Sequence, residues 1–297
     1  MNVFIQGMRR SGTTIAYDLL CADSAFASYY EPLAAAKRSV GGGSGARSID
    51  LFESVREVRR HYLEKCDAAA REPELNYGGP RRELLELEPD LPAFVMDYLR
   101  DLMATSESCP VLVKFTRMYR KIAVLKELDP HALLIHIVRD PRSVATSYVF
   151  GRRRHTWWSR AGWRFFHRRS RRLNWAALEL ADHLAAERGA SDLVGGPDAL
   201  RVMLLWQFVF RETHAAGGRL FGDRYLLVQH EQLARDPAGV ARRLYTRLGR
   251  PVPATVLEWA ASHVRPPRPL FAAGHRGWAR ACERLDLGPD LAAAGYG

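Results

Sequence analysis

The sequence predicts an α/β protein of three layers, a P-loop-type α/β/α arrangement with a central parallel sheet and a helical, arginine-rich insertion. Three observations carry that prediction. Continuous apolar runs of strand length occur at Asn2–Gln6, Val111–Phe115 and Leu133–Val138, as suits strands buried on both faces. Stretches with helical apolar spacing separate them, and alternation of strand and helix favours a parallel sheet covered on both sides. A turn rich in glycine and hydroxyls, Gly7–Thr14, joins the first strand to the first helix.

In chain order, Asn2–Gln6 reads as a strand and Ile15–Cys21 as the helix after the turn. A second short strand is expected at Phe26–Tyr30, stopped at Glu31-Pro32 because proline ends regular pairing. Gly41–Gly45 reads as a loop. Ile49–Arg71, with Leu51, Phe52, Val55, Val58 and Tyr62, and Leu91–Met103, with Phe94, Val95, Tyr98 and Leu102, have the spacing of amphipathic helices. Tyr119–Leu128 is the helix between the strands Val111–Phe115 and Leu133–Val138. Trp175–Arg188 and Leu200–Ala215 are helical, Tyr225–Gln229 is the last strand, and Pro237–Leu248 is the helix behind it. One domain is expected over residues 1–297, with 151–200 as a helical insertion over one end of the sheet.

At 297 residues and 47% hydrophobic content the chain can bury a full core. It has no run of about 18 uncharged apolar residues and nothing resembling a signal peptide, so a cytoplasmic location is expected. Cys21, Cys66, Cys109 and Cys282 are far apart and form no metal-ligand spacing, so they are expected reduced and mostly buried, and no metal is expected. The formal charge of +11 points to an anionic partner. It is concentrated in Gly151–Arg172, which holds nine arginines and no acid. The remainder has the charge balance of an ordinary enzyme.

Gly7-Met8-Arg9-Arg10-Ser11-Gly12-Thr13-Thr14 sits between strand and helix, where backbone amides and the helix dipole hold an anion. Gly7 and Gly12 match the Walker spacing, but Thr13 stands where that template has lysine. Arg10 supplies a cation instead, and Ser11, Thr13 and Thr14 supply hydroxyls. A second constellation is Val138-Arg139-Asp140-Pro141-Arg142, with Ser147 eight residues after Arg139. Arg139 ends an apolar strand, and a helix from Pro141 brings Ser147, about two turns along, near the same sheet edge. An arginine fork beside a hydroxyl suits a phosphate monoester.

Together these two blocks resemble the 5'-phosphosulfate loop and the 3'-phosphate motif of sulfotransferases that use 3'-phosphoadenosine-5'-phosphosulfate (PAPS), in the branch containing the tyrosylprotein and many bacterial small-molecule enzymes. The resemblance implies PAPS as co-substrate, bound by Arg9, Arg10, Ser11, Gly12, Thr13, Thr14, Arg139 and Ser147. It implies metal-independent in-line transfer to an acceptor hydroxyl. Glu31, twenty-one positions after Arg10, resembles that branch's catalytic glutamate, and a carboxylate at a strand end can take the acceptor's proton. Lys114 resembles the family lysine at the bridging oxygen, where a fixed ammonium stabilises the departing phosphate, and Arg10 joins these two as a catalytic candidate. The cytosolic branch has histidine where this chain has Thr116, which favours a glutamate base. His230, in place of a family tyrosine, is matched to the adenosine; Arg276, with Gly277, to the C-terminal 3'-phosphate element; Trp206 reads as core.

Arg152–Arg172 interleaves arginine with Trp157, Trp158, Trp163, Phe165 and Phe166, a composition suited to a single-stranded nucleic-acid site, an interfacial helix with peripheral membrane contact, a lid over an anionic or glycosylated acceptor, or a solvated helix whose aromatic side packs on the domain. The acceptor is expected to be a small molecule or glycoconjugate rather than a protein, with no nucleic acid partner; nothing specifies an oligomer. The competing readings are a P-loop kinase or nucleotide hydrolase, which the missing lysine disfavours, and a non-catalytic anion or nucleic-acid binding protein.

Overall fold

The computed structural model describes residues 1–35, 50–77, 82–105, 109–150, 162–171, 173, 176–266 and 274–296. The glycine loop at Gly41–Gly45, the residues 151–161 and Arg172 lie outside the described residues. The five strands are β1 (Val3–Gln6), β2 (Ala27–Tyr30), β3 (Val111–Phe115), β4 (Leu133–Val138) and β5 (Tyr225–Gln229). They form one sheet in the order β2-β3-β1-β4-β5, every neighbouring pair parallel.

Successive strand side chains alternate between two covering layers. Val3, Ile5, Leu133 and Ile135 pack on α1 (Thr13–Cys21) and on the helices Pro237–Leu248 and Ala254–His263. Phe4, Val113 and Leu134 face α2 (Glu53–Lys65), α3 (Ala93–Ala104) and α4 (Ile122–Leu128). A third cluster joins α5 (Pro141–Phe150) and the helix Ala177–Glu187 to the long helix Asp198–Phe221. Fully buried aliphatic side chains such as Leu19, Leu20 and Ile135 stabilise the layers by roughly 1.5–3 kcal/mol each relative to exposure. Among the described residues, no helix is long and apolar enough to cross a membrane.

The expected strands are present, and helix boundaries differ where local chemistry intervenes. The helix expected over Ile49–Arg71 ends at Lys65; Asp67 takes φ 46°, and a 3-10 segment, Ala69–Leu75, follows with Pro73 inside it. Proline cannot continue an α-helical ladder. The helix expected from Tyr119 begins at Ile122. Three short helices, Ala254–His263, Arg276–Arg284 and Gly288–Ala293, were not foreseen, because no strand follows them to reveal an alternation. The four cysteines form no disulfide, but Cys66 is exposed and the others half-buried, against the expectation of burial: Cys66 falls at the end of α2, where the chain turns to solvent.

From β1 the chain passes to one side of the sheet for β2 and β3 and to the other for β4 and β5. Ile5 is level with Lys114 and with Ile135, and Tyr30 is level with Lys114. The loops that follow β1, β2, β3 and β4 therefore leave the same carboxyl edge around the reversal of strand order, where open α/β sheets form their ligand crevice.

Candidate active site

A cleft of about 720 Å³ opens at that edge, and Arg10, Gly12, Thr13, Thr14, Glu31, Lys114, Arg139, Ser147 and His230 all line it. Arg9 lines it too, while Ser11 is buried in the loop beneath. Arg276 lies elsewhere, on a separate cavity beside Phe166 and Arg169.

The loop between β1 and α1 is held in shape by its own backbone. Gly12 has φ 88°, and a Cβ there would collide with the His230 ring, so glycine is required both by conformation and by space. Arg10 has φ 73° and Glu31 has φ 49°, left-handed conformations that side chains rarely adopt. Strain of this kind costs about 1–3 kcal/mol per residue and persists where surrounding structure enforces it. Both residues sit in the cleft.

Arg10 joins the two sequence blocks, touching both Ser147 and Arg139. Arg10 Nε donates to Ser147 Oγ at 2.8 Å, and an Arg139 amine donates to the Arg10 carbonyl at 3.2 Å. Trp206 Nε1 donates to the Arg139 carbonyl at 2.9 Å, so this core tryptophan fixes the backbone of a cleft residue. Burial first, and then Arg10, push the Arg139 guanidinium down from its ordinary value, partly offset by Glu231; arginine nonetheless stays protonated. Ser11 Oγ, Arg139 Nε and His230 Nδ1 are buried without a hydrogen-bond partner. Buried polar atoms are normally satisfied; Arg139 and His230 line the cleft, and Ser11 lies in the loop beneath it. Burial, and after it the Arg139 charge, push the His230 ring down to about 4, so it is neutral at neutral pH.

The opposite wall is an ion-paired cluster. Lys114 Nζ lies 2.5 Å from Glu31 Oε1 and 4.2 Å from the Tyr30 ring centre. The Thr116 hydroxyl donates to the Glu31 carboxylate, 2.7 Å and 2.9 Å from its two oxygens. Burial alone would raise the Glu31 carboxyl; Lys114, then Arg117 and Arg9, outweigh it and hold it below the usual carboxylate range. Burial likewise disfavours the Lys114 ammonium, and Glu31 and Tyr30 together more than offset that, leaving it raised. The resting pair is a carboxylate and an ammonium.

Residues that sequence reasoning did not assign to the site support it from beneath. Glu86 is 1% exposed and pairs with Arg9 at 2.6 Å and with Arg117 at 3.6 Å. Arg117 also donates to the Leu33 and Tyr77 carbonyls, which ties the stretch after β3 to the turn after Glu31. Tyr30 Oη and Thr14 Oγ1 are 3.0 Å apart, linking β2 to the loop. Thr116 carried a signal, since it occupies the position of a branch-specific histidine. Glu86 carried none: it is one of several glutamates in a polar stretch.

Comparison with known proteins bears on this arrangement directly. The model of the sulfotransferase family matches residues 2–191, which span the loop, Glu31, Lys114, Arg139 and Ser147. The chain belongs to the sulfotransferase family. No curated protein sequence matches this sulfotransferase-family chain. Among solved structures it is similar to the sulfotransferase STF9 from Mycobacterium avium, at 17% identity and TM-score 0.52, covering 98% of this chain and 76% of that one. It is similar also to the sulfotransferase STF1 from Mycobacterium tuberculosis H37Rv, at 16% identity and TM-score 0.51 over 96% and 76%. The sulfotransferase domain from the curacin biosynthetic pathway is a third, at 16% identity and TM-score 0.50 over 96% and 97%. At these identities the likeness is one of fold.

Proposed function

We propose that the cleft transfers a sulfuryl group from PAPS to a hydroxyl of a small-molecule or glycoconjugate acceptor, with Glu31 as general base. The observation that carries the reading is the facing of two unlike walls across one cleft. One is an anion grip of Arg10, Arg139, Ser147 and the loop; the other is the Glu31–Lys114 pair at 2.5 Å. The co-substrate supplies the electrophilic sulfur and a phosphate leaving group, the acceptor supplies the nucleophilic oxygen, and the chain supplies the base and the counter-charge.

The Gly7–Thr14 amides and Arg10 orient the 5' anion at the start of α1, where the helix dipole favours negative charge. Arg139 and Ser147, with a neutral His230 beside them, offer a fork and a hydroxyl for the 3'-phosphate. The acceptor oxygen forms its bond to sulfur as the bond from sulfur to the phosphate oxygen breaks. Glu31 takes the acceptor's proton, and the electron pair leaves on the phosphate oxygen, where Lys114 offsets the growing charge. Glu31 is a weak base while Lys114 holds it. Once Lys114 turns to the phosphate, the carboxylate loses its strongest counter-charge and gains basicity. The experiment is transfer of isotopic label from PAPS to acceptors in a cell extract. Labelled product that vanishes with Glu31→Gln supports the reading, and absence of transfer by a folded protein that binds PAP refutes it.

A further inference from the structure

The described part of the arginine-rich segment and the helix Arg276–Arg284 enclose a cavity of about 770 Å³ that shares no lining residue with the cleft above. Its two walls are joined by aromatic packing. Phe165 and Phe166 lie 5.2 Å and 4.7 Å from Trp278, and the His275 ring stacks on Phe166 at 4.9 Å and 15°. A Cβ at Gly277 would collide with the Phe166 ring, so glycine permits this close approach. The first wall is anchored a second time: Asp198, fully buried, accepts from the Ser170 amide and hydroxyl at 2.7 Å each and pairs with Arg168 at 3.3 Å. Arg169, between those two anchored residues, turns to the cavity.

Charge in this cavity is unbalanced. Arg169, Arg276, Arg280 and Arg284 line it against the single acid Asp192, and Asp192 is already paired with Arg284. Among the described residues Arg169, Arg276 and Arg280 make no ion pair with any carboxylate. Like charges gathered around a concave, partly apolar surface repel one another and raise the local concentration of anions. Guanidinium forks bind planar oxyanions in pairs of hydrogen bonds, and the half-buried Phe166 face with its stacked histidine offers a flat apolar floor.

We propose that this cavity is a second anion site, separate from the loop cleft, which takes an oxyanion carried on a flat apolar ring. The probe is anilinonaphthalene sulfonate, titrated by fluorescence into the full chain with PAP at saturation. Saturable binding is expected, and Arg169→Ala and Arg280→Ala, both at exposed positions, should each weaken it about tenfold through loss of a charge-assisted contact. Affinity for PAP should be unchanged in both. The uncharged analogue phenylnaphthylamine should bind at least tenfold more weakly than the sulfonate. Displacement of the probe by PAP, or loss of PAP affinity in either variant, would assign the cavity to the cofactor cleft and overturn the proposal. Absence of saturable binding, affinity unchanged in both variants, or equal binding of the uncharged analogue would overturn it as well.

Discussion

The two walls of the cleft follow opposite charge rules. On the Glu31 side the buried cations are matched by acids within the chain: Lys114 by Glu31, and Arg9 and Arg117 by Glu86. On the Arg139 side Arg10 donates to the Ser147 hydroxyl and Arg139 to the Arg10 carbonyl, and Arg139 forms no ion pair among the described residues. An internally neutralised wall is stable alone and suits a reaction that moves a proton. A wall that lines a cleft with arginines attracts an incoming anion. On the proposed function, one wall binds and the other reacts.

The largest effect should come from breaking the neutralised wall at its base. Glu86→Gln strips Arg9 and Arg117 of their shared carboxylate, and removing one partner of a buried pair costs about 3–5 kcal/mol. A large fall in Tm is expected, measured by thermal unfolding. An unchanged Tm would mean that the buried pairing contributes little.

Next is Glu31→Gln, which keeps the size of the side chain and removes the carboxylate proposed as the base. Transfer should fall about a hundredfold or more. PAP affinity should hold or tighten, because Lys114 is released from its pair. A rapid-quench measurement locates the defect in the transfer step; near-normal transfer would remove Glu31 as the base.

Across the cleft, Arg139→Ala should weaken PAP about ten- to hundredfold, as expected for a charged hydrogen-bonding group. Arg139→Lys should restore only part of it, since an ammonium lacks the planar fork. Calorimetric titration checks both. If the Arg139 wall binds and the Glu31 wall reacts, the two variants separate cleanly into a binding defect and a transfer defect.

A smaller effect, of about tenfold or less, is expected for Thr116→Val. The ionised Glu31 loses a hydrogen bond, so its carboxyl rises toward the usual range. In the native protein, protonation of Glu31 sets in only below that range, so the acid limb of kcat/KM lies low. In the variant the limb should move to higher pH, and Thr116→Ser should move it back. The same sign governs stability: a carboxyl lowered by folding contributes above its unfolded value, and the contribution is lost as pH falls through the folded one. An unmoved limb would leave Thr116 a packing residue.

How far these features were legible in the sequence depended on how far apart the partners lie along the chain. The phosphate loop and the Arg139–Ser147 block are contiguous and bounded by strand and helix, so local pattern was sufficient. Glu31 was reachable from its place at a strand end together with resemblance. Glu86 was not, because it reaches Arg9 and Arg117 only when a 3-10 turn, Glu83–Leu87, folds under the sheet edge. Trp206 read as core and is core, but its hydrogen bond to Arg139 spans 67 residues and has no local signature. Arg276 was matched to the cofactor through a short Arg-Gly pair, and the helix it begins carries it to a different cavity.

The central claim is that the Arg139 wall and the loop form a grip for the two anionic ends of PAPS, with the counter-charge supplied by the chain. Isothermal titration of PAP without added divalent metal, set beside ATP with magnesium, tests it most directly. Saturable PAP binding is expected, tighter than ATP with magnesium and weakened by Arg10→Ala and Arg139→Ala. Tight binding of ATP with magnesium and none of PAP would contradict it.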